Sequence, residues 1–227
     1  MKAVDSYGVE IIITSSSRPK LFKQFWESFE SMVFFNDEVR ITIHEDFRNQ
    51  KQSIKIKDFI LSNTTFMENK DHFFMSTNPA KGVGKALDYL LNHHIRSKYV
   101  FFLEDDWVFE KPVYIDKFVE VMDKFSDIQQ IILSKQKIST YKRKVGNEVT
   151  FDGIYFTEWD GWTHIPNVFR VNFVRKYWNS KCANEKYPES EFGRGLPRDY
   201  KKRKVYFIGR KDDERYVKHI GEGESTY

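Results

Sequence analysis

Along the first 133 residues the hydrophobic pattern switches repeatedly between continuous apolar runs and three- to four-residue spacing, the respective signatures of buried strands and amphipathic helices. Val9 to Thr14 reads as a buried strand. Ser15-Ser16-Ser17 supplies candidate N-caps, and Pro19 suits the first turn of a helix running to about Phe34, with Leu21, Phe25, Phe29 and Met32 on one face. Val39 to His44 predicts a second strand ending at Glu45-Asp46, followed by a polar helix or loop to about Leu61 and a short strand over Phe73 to Met75. From Gly82 to Ile95 the stripe Val83, Leu87, Leu90, Leu91 and Ile95 predicts a helix. Tyr99 to Leu103 is a strand that runs into Glu104-Asp105-Asp106. A helix over Pro112 to Phe125 and a strand over Gln130 to Leu133 complete an alternation that implies a largely parallel sheet with right-handed crossovers.

The later pattern differs. A β pattern across Ser139 to Glu158 centres on Gly146-Asn147 as a hairpin turn. Trp159-Asp160-Gly161-Trp162 follows, then a strand over Val168 to Val174, a charged helical stretch to Lys204, a strand over Val205 to Ile208, and a polar tail containing His219.

Composition narrows the class. The 227 residues are 40% hydrophobic, 31% charged and 17% aromatic, as expected of a globular chain. No apolar run approaches membrane-spanning length, and the N-terminus has no secretory pattern. The single cysteine, Cys182, excludes an internal disulfide and suits a reducing compartment, so a cytoplasmic location is expected. The net charge of +4 is uneven, with basic blocks at 135–144 and 198–204. These are either solvated faces or contacts to phosphate-bearing ligands or nucleic acid.

The chemistry concentrates at Glu104-Asp105-Asp106. Carboxylates at the end of a buried strand lie where open α/β sheets bind ligands, and three adjacent acids repel one another unless a cation sits among them. Without a cation the same residues make a solvated acidic turn.

Taken in order, the first strand and its Ser-Arg turn, the second strand ending in acids, the segment Asn78-Pro79-Ala80-Lys81-Gly82-Val83-Gly84-Lys85-Ala86, the motif FFLEDDW and a late acidic helix resemble nucleotide-sugar glycosyltransferases of the GT-A fold. The similarity is greatest to the family-2-like group and is strongest from Val9 to Asp106. It implies an α/β fold with a mostly parallel central sheet flanked by helices, in one domain. Residues 1–134 would bind the nucleotide sugar, and 135–227 would form a smaller acceptor-side region and tail.

The resemblance also implies roles. Asp106 would ligate a divalent metal (Mn2+ or Mg2+), Asp105 would meet the ribose or a metal-bound water, and Glu104 takes the first acidic position, where aspartate is commoner. Thr14, Ser15 and Arg18 would contact the nucleotide. Glu45 and Asp46 would accept from the base, or else cap the next helix. Gly82 and Gly84 would let backbone approach the donor, with Lys81 or Lys85 near phosphate; Leu87 and Asp88 stand where the family often has arginine and asparagine. Glu191, with Glu189 second, would be the base of an inverting transfer. Trp159, Asp160 and Trp162 would wall the acceptor site, or the indoles would pack internally. His219 resembles a late histidine ligand to metal or diphosphate.

The expected partners are therefore a nucleoside-diphosphate sugar, UDP-linked by the commonest implication, and an acceptor glycan, small molecule, protein or modified DNA base. A nucleotidyltransferase would want glycine after the first strand, where Ser15 to Pro19 has none. A nucleic-acid-binding module built on the two basic blocks is the alternative from a different class.

Overall fold

The computed structural model describes residues 8–35, 39–63, 72–77, 82–133, 145–196 and 204–221. In chain order the elements are β1 (Val9–Ser15), α1 (Pro19–Met32), β2 (Val33–Phe34), β3 (Arg40–Asp46), α2 (Gln50–Ser62), β4 (His72–Thr77) and α3 (Val83–His93). Then come β5 (Tyr99–Glu104), β6 (Trp107–Phe109), β7 (Val113–Tyr114), α4 (Ile115–Lys124), β8 (Ile128–Ile132), β9 (Val145–Phe151), β10 (Ile154–Trp159) and β11 (Asn167–Arg170). The chain continues with α5 (Val171–Tyr177), α6 (Ser180–Asn184), α7 (Pro188–Gly195), β12 (Lys204–Ile208) and β13 (Val217–His219).

Nine strands form one sheet in the order β4-β3-β1-β5-β11-β8-β12-β10-β9. β4, β3, β1 and β5 are mutually parallel, and β12 is parallel to β8. β11 runs against both β5 and β8, and β10 against both β12 and β9. This is the mostly parallel α/β architecture that the alternating pattern predicts. Successive strands move outward from β1 to β3 and β4, then the chain returns through α3 to place β5 on the other side of β1. That reversal opens a crevice beyond the carboxyl ends of β1, β3 and β5, where open sheets bind ligands.

Strands covered on both faces must be apolar throughout. Ile11 and Ile13 of β1 pack into a core with Phe22, Phe25, Trp26 and Phe29 of α1, whereas Ile12 packs on the opposite face with Leu87, Leu90 and Leu91 of α3. In β5, Phe101 and Leu103 face the first core, and Val100 and Phe102 the second. The buried stripe of α1 is wider than its sequence spacing predicts, because Phe22 and Trp26 also face inward, stacked at 5.8 Å. Cys182 is a free thiol in the second core.

Several predicted boundaries move. The first helix stops at Met32, and Val33–Phe34 pairs with Val113–Tyr114 as a small parallel sheet, so the helix predicted from Pro112 begins only at Ile115. Glu45 and Asp46 belong to β3 itself. The strand predicted to Val174 ends at Arg170 and turns into α5. Gly146-Asn147 is not the hairpin turn but part of β9. Gly146 lies against the Glu158 side chain, which a Cβ there would meet at 2.7 Å. The turn falls instead at Asp152-Gly153, whose φ values of 49° and 81° suit the doubly left-handed turn of a two-residue hairpin. The basic blocks lie outside the described residues, apart from the backbone of Lys204. Among the described residues no helix is long and apolar enough to cross a membrane.

Trp26 is fully buried at the centre of the α1 aromatic cluster. Trp26→Ala is expected to lower the unfolding free energy by about 3–5 kcal/mol, measurable as a fall in the urea midpoint.

Candidate functional site

The carboxyl ends of β1, β3 and β5 border an open cleft lined by Thr14, Ser15, Ser16, Arg18, His44, Asp46 and Glu104, with Val83 and Ala86 from the first turn of α3. Glu104 closes β5, and the turn before β6 carries Asp105 and Asp106.

Asp105 points inward and is fully buried. One of its oxygens accepts from Ser15 Oγ at 2.8 Å and Ser16 N at 3.3 Å; the other accepts from Arg18 Nη2. Asp106 accepts from Arg18 Nη1 at 2.9 Å, and the same oxygen lies 3.3 Å from His219 Nε2. Its second oxygen, Oδ1, is buried with no hydrogen-bond partner. Arg18 thus bridges two adjacent acids. Its backbone lies outside the α region (φ −117°, ψ 67°), as the following Pro19 favours, since proline disfavours the α region for the residue before it.

The serines predicted as helix caps do different work: the N-cap of α1 is Arg18, with no side-chain cap bond. Ser15 holds Asp105. Ser17 adopts φ 53°, an uncommon conformation for a side-chain-bearing residue. Its N and Oγ donate to Glu45 Oε1 at 2.7 and 3.0 Å, and Ser53 Oγ donates to the same oxygen at 2.8 Å. Glu45 is therefore fully buried behind the cleft, bracing the Ser-Arg turn. Neither acid caps α2, whose N-cap is Asn49. Asp46 does line the cleft, and its Oδ2 accepts from Gly82 N at 2.8 Å, fixing the start of α3. Gly82 has φ +84°.

His219 reaches the acids because the predicted polar tail is a strand. β13 pairs antiparallel with β6, setting His219 opposite Trp107 with their rings 5.0 Å apart, and Ile220 N donates to Asp106 O at 2.8 Å. Gly221 then passes so close that a Cβ would sit 2.9 Å from Asp106 Oδ2 and 3.2 Å from His219 Nε2.

The other expected residues scatter. Lys85 is exposed and outside the cleft lining, and Lys81 lies outside the described residues. Gly84 makes room for protein rather than ligand, since a Cβ there would meet Pro188 Cγ at 2.9 Å and the Ala183 carbonyl at 3.0 Å. Trp162 is a packing residue against Phe169, Phe173 and Phe192. Trp159 contacts Phe207 edge-on, and its register through Val205, Gln130 and Phe169 puts it level with Val100, four residues down the sheet from Glu104. Asp160 is exposed beside it. On α7, Glu191 accepts from Arg194 Nη1 at 2.9 Å, whereas Glu189 lies 3.7 Å from His164 Nδ1 and adds its charge to the field at Glu104. Sequence reasoning did not single out His44 and Ser16, which line the cleft. The first could have been found by the same end-of-strand rule that marks Glu45 and Asp46.

The electrostatics divide the acids. Burial, reinforced by Asp106, pushes Glu104 up to about 8, and burial lifts Asp105 to about 6 against the pull of Arg18. Burial also opposes ionisation of Asp106, but His219 and Arg18 more than offset it and hold that carboxyl below its usual range. Burial disfavours the Arg18 charge too, yet Asp105 and Asp106 together keep the guanidinium firmly protonated. Burial lowers His44.

Among the described residues no three His, Cys, Asp or Glu side chains gather as a ready-made metal cage. The Asp106–His219 pair nevertheless fits a divalent ion: Asp106 Oδ1 is buried without a partner, and a carboxylate with an imidazole is a donor set suited to manganese-like ions. Two protein ligands leave the remaining coordination to a bound anion.

No protein-family model matches the sequence, and no curated protein sequence does. Solved structures match in fold. TarS 1-349 from S. aureus superposes with a TM-score of 0.62 at 12% identity over 92% of this chain and 60% of that one, and it has also been solved with UDP and with UDP-GlcNAc. The mannosyltransferase PcManGT from Pyrobaculum calidifontis, solved with GDP-Man and Mn2+, gives 0.58 at 10% identity over 91% and 60% of the two chains. GalNAc-T7, solved with UDP, GalNAc and Mn2+, gives 0.61 at 9% identity over 91% and 43%. The chain therefore spans about 60% or less of the length of these structures.

Glu104 binds its proton more tightly folded than unfolded, so its contribution to stability is full below about pH 4.5 and is lost as pH rises through about 8. Between pH 6.5 and 8 wild-type stability is expected to fall, and Glu104→Gln to flatten that slope, as read from urea midpoints in metal-free buffer. These likenesses place the chain in the GT-A fold.

Proposed function

We propose that the chain is a glycosyltransferase that moves a sugar from a nucleoside-diphosphate donor, UDP-linked, to an acceptor hydroxyl with inversion. The observation that carries this reading is the convergence of Arg18 and His219 on Asp106 at the mouth of the sheet reversal. Neighbours of the same fold that were solved with UDP, UDP-GlcNAc or GDP-Man, two of them with Mn2+, support it.

Breaking a glycosidic bond to a diphosphate leaves negative charge on the leaving oxygen, which preorganised positive groups must stabilise. Asp106 and His219 would hold the divalent ion, Mn2+ or Mg2+, which when bound supplies that positive charge. Arg18 offsets the mutual repulsion of Asp105 and Asp106 and so keeps them side by side. Asp105, with both oxygens committed, anchors the Ser15–Arg18 turn instead of ligating. Thr14, Ser15, Ser16, His44 and Asp46 offer the polar wall for the nucleotide, and Val83 and Ala86 an apolar floor.

Of the two α7 acids, Glu189 suits the base better, because Glu191 is paired with Arg194 while Glu189 is near enough to Glu104 to add its charge there. Burial raises Glu189, which favours proton uptake. Its carboxylate takes the acceptor hydroxyl's proton, the acceptor oxygen bonds to the anomeric carbon, and the bond to the diphosphate breaks with its electron pair leaving on the diphosphate.

A panel of UDP-sugars and GDP-mannose with Mn2+ tests this through release of nucleoside diphosphate. Turnover is expected with at least one donor, and Asp106→Asn is expected to lower kcat by about a hundredfold or more. Undiminished turnover in that variant, or none in the wild type with any donor, contradicts the reading.

A further inference from the structure

Among the described residues, His164 is the one buried histidine whose setting the preceding chemistry does not use. It lies in the connection between β10 and β11, 7% exposed, with its ring 5.8 Å from those of Phe102 and Trp178. Trp178 is itself fixed by an indole N–H donated to Asp88 Oδ1 at 3.0 Å. Neither ring nitrogen of His164 has a hydrogen-bond partner. Buried polar groups rarely go unsatisfied, and one that does calls for an explanation. Glu189 Oε2 lies 3.7 Å from Nδ1, about half an ångström beyond hydrogen-bond reach.

We infer that His164 is the positioning residue for Glu189, donating from Nδ1–H to the carboxylate and holding it as the base of the transfer. This rests on the glycosyltransferase reading and on Glu189 as its base. Burial keeps the imidazole neutral, its pKa lowered to about 4, so it has one N–H to give. A carboxylate is only an acceptor, so the tautomer that suits the contact carries its proton on Nδ1 and leaves the buried Nε2 lone pair unpaired. Catalytic hydrogen bonds are often long in unliganded structures and tighten when substrate closes the site.

Donating to the ionised carboxylate stabilises its charge and opposes the rise that burial imposes on Glu189. Among the described residues, Glu104 at the end of β5 shares a field with Glu189, and Asp88 on α3 is engaged by Trp178 beside the His164 ring. In the step itself the acceptor proton ends on Glu189, and His164 neither gains nor loses one.

The test compares His164→Asn, His164→Gln and His164→Phe for hydrolysis of the UDP-sugar that the wild type turns over, with Mn2+ and with water as acceptor, from pH 5.5 to 9. An asparagine amide places a donor near the Nδ1 position and a glutamine amide near Nε2. Donor KM is expected to stay within about twofold, kcat to fall about tenfold or more in the Phe and Gln variants, and Asn to recover most of it. The acid limb of kcat should move to higher pH in the Phe variant. Equal loss in Asn and Gln, or a Phe variant with wild-type kcat and acid limb, overturns the inference while leaving the transferase reading intact. If Phe does not fold, the Asn–Gln contrast decides. Undiminished turnover in Glu189→Gln removes the base and the inference with it, and a wild type that hydrolyses no donor removes both at their common root. Long-range 1H–15N spectra of the wild type give a readout free of activity. The neutral Nδ1–H tautomer of His164 at pH 6 is expected, and the Nε2–H tautomer contradicts the proposed donation.

Discussion

The Arg18 guanidinium, shared between Asp105 and Asp106, is the interaction on which the cleft depends. Two neighbouring carboxylates, one of them fully buried, would each carry a desolvation penalty and repel the other. A planar fork of N–H donors meets both at once, which a lysine ammonium could not do with the same geometry. Removing one partner of such a buried pair is strongly destabilising because it strands the other charge. The acids are thereby split into an anchored residue, Asp105, and a partly exposed one, Asp106, whose free oxygen remains for a ligand.

The surrounding chain is arranged to keep that fork in place. Pro19 keeps Arg18 out of the α region, and Ser17 accepts a left-handed conformation because Glu45 takes both of its donors. Glu45 is a residue of β3, so the turn after β1 is braced by the end of the neighbouring strand. The same logic brings in His219: the β6–β13 pairing carries it to the acids from more than a hundred residues away, and Gly221 lets the backbone pass over the Asp106 carboxylate. Local strain at Ser17 is thus offset by hydrogen bonds that belong to the sheet.

The sheet, its parallel half and the helices covering it were legible in the sequence because a strand buried on both faces must read as an unbroken apolar run, as Ile11-Ile12-Ile13 and Val100 to Leu103 do. The acid-tipped end of β5 was legible for the same reason. What the pattern hid were contacts set by tertiary pairing. Glu45 and Asp46 look alike in sequence, yet one braces a turn and the other lines the cleft. Glu189 and Glu191 differ only by which way a short helix faces them. The hairpin was misplaced because Gly146-Asn147 is a good turn dipeptide locally, whereas Gly146 is needed opposite the Glu158 side chain. His164 carried no sequence signal at all; its meaning comes from burial without a partner.

Cation and nucleotide should bind the Asp106 side of the cleft as a coupled pair, and coupling between ligands is reciprocal. The most direct measurement is calorimetric titration of UDP into the protein with Mn2+ and with EDTA, in wild type and in Asp106→Asn. Expected is a UDP affinity raised about tenfold or more by Mn2+ in the wild type, a coupling of the usual size for linked sites, and abolished in the variant. UDP that fails to bind, or that binds equally well in EDTA and in Mn2+, would contradict the role assigned to Asp106.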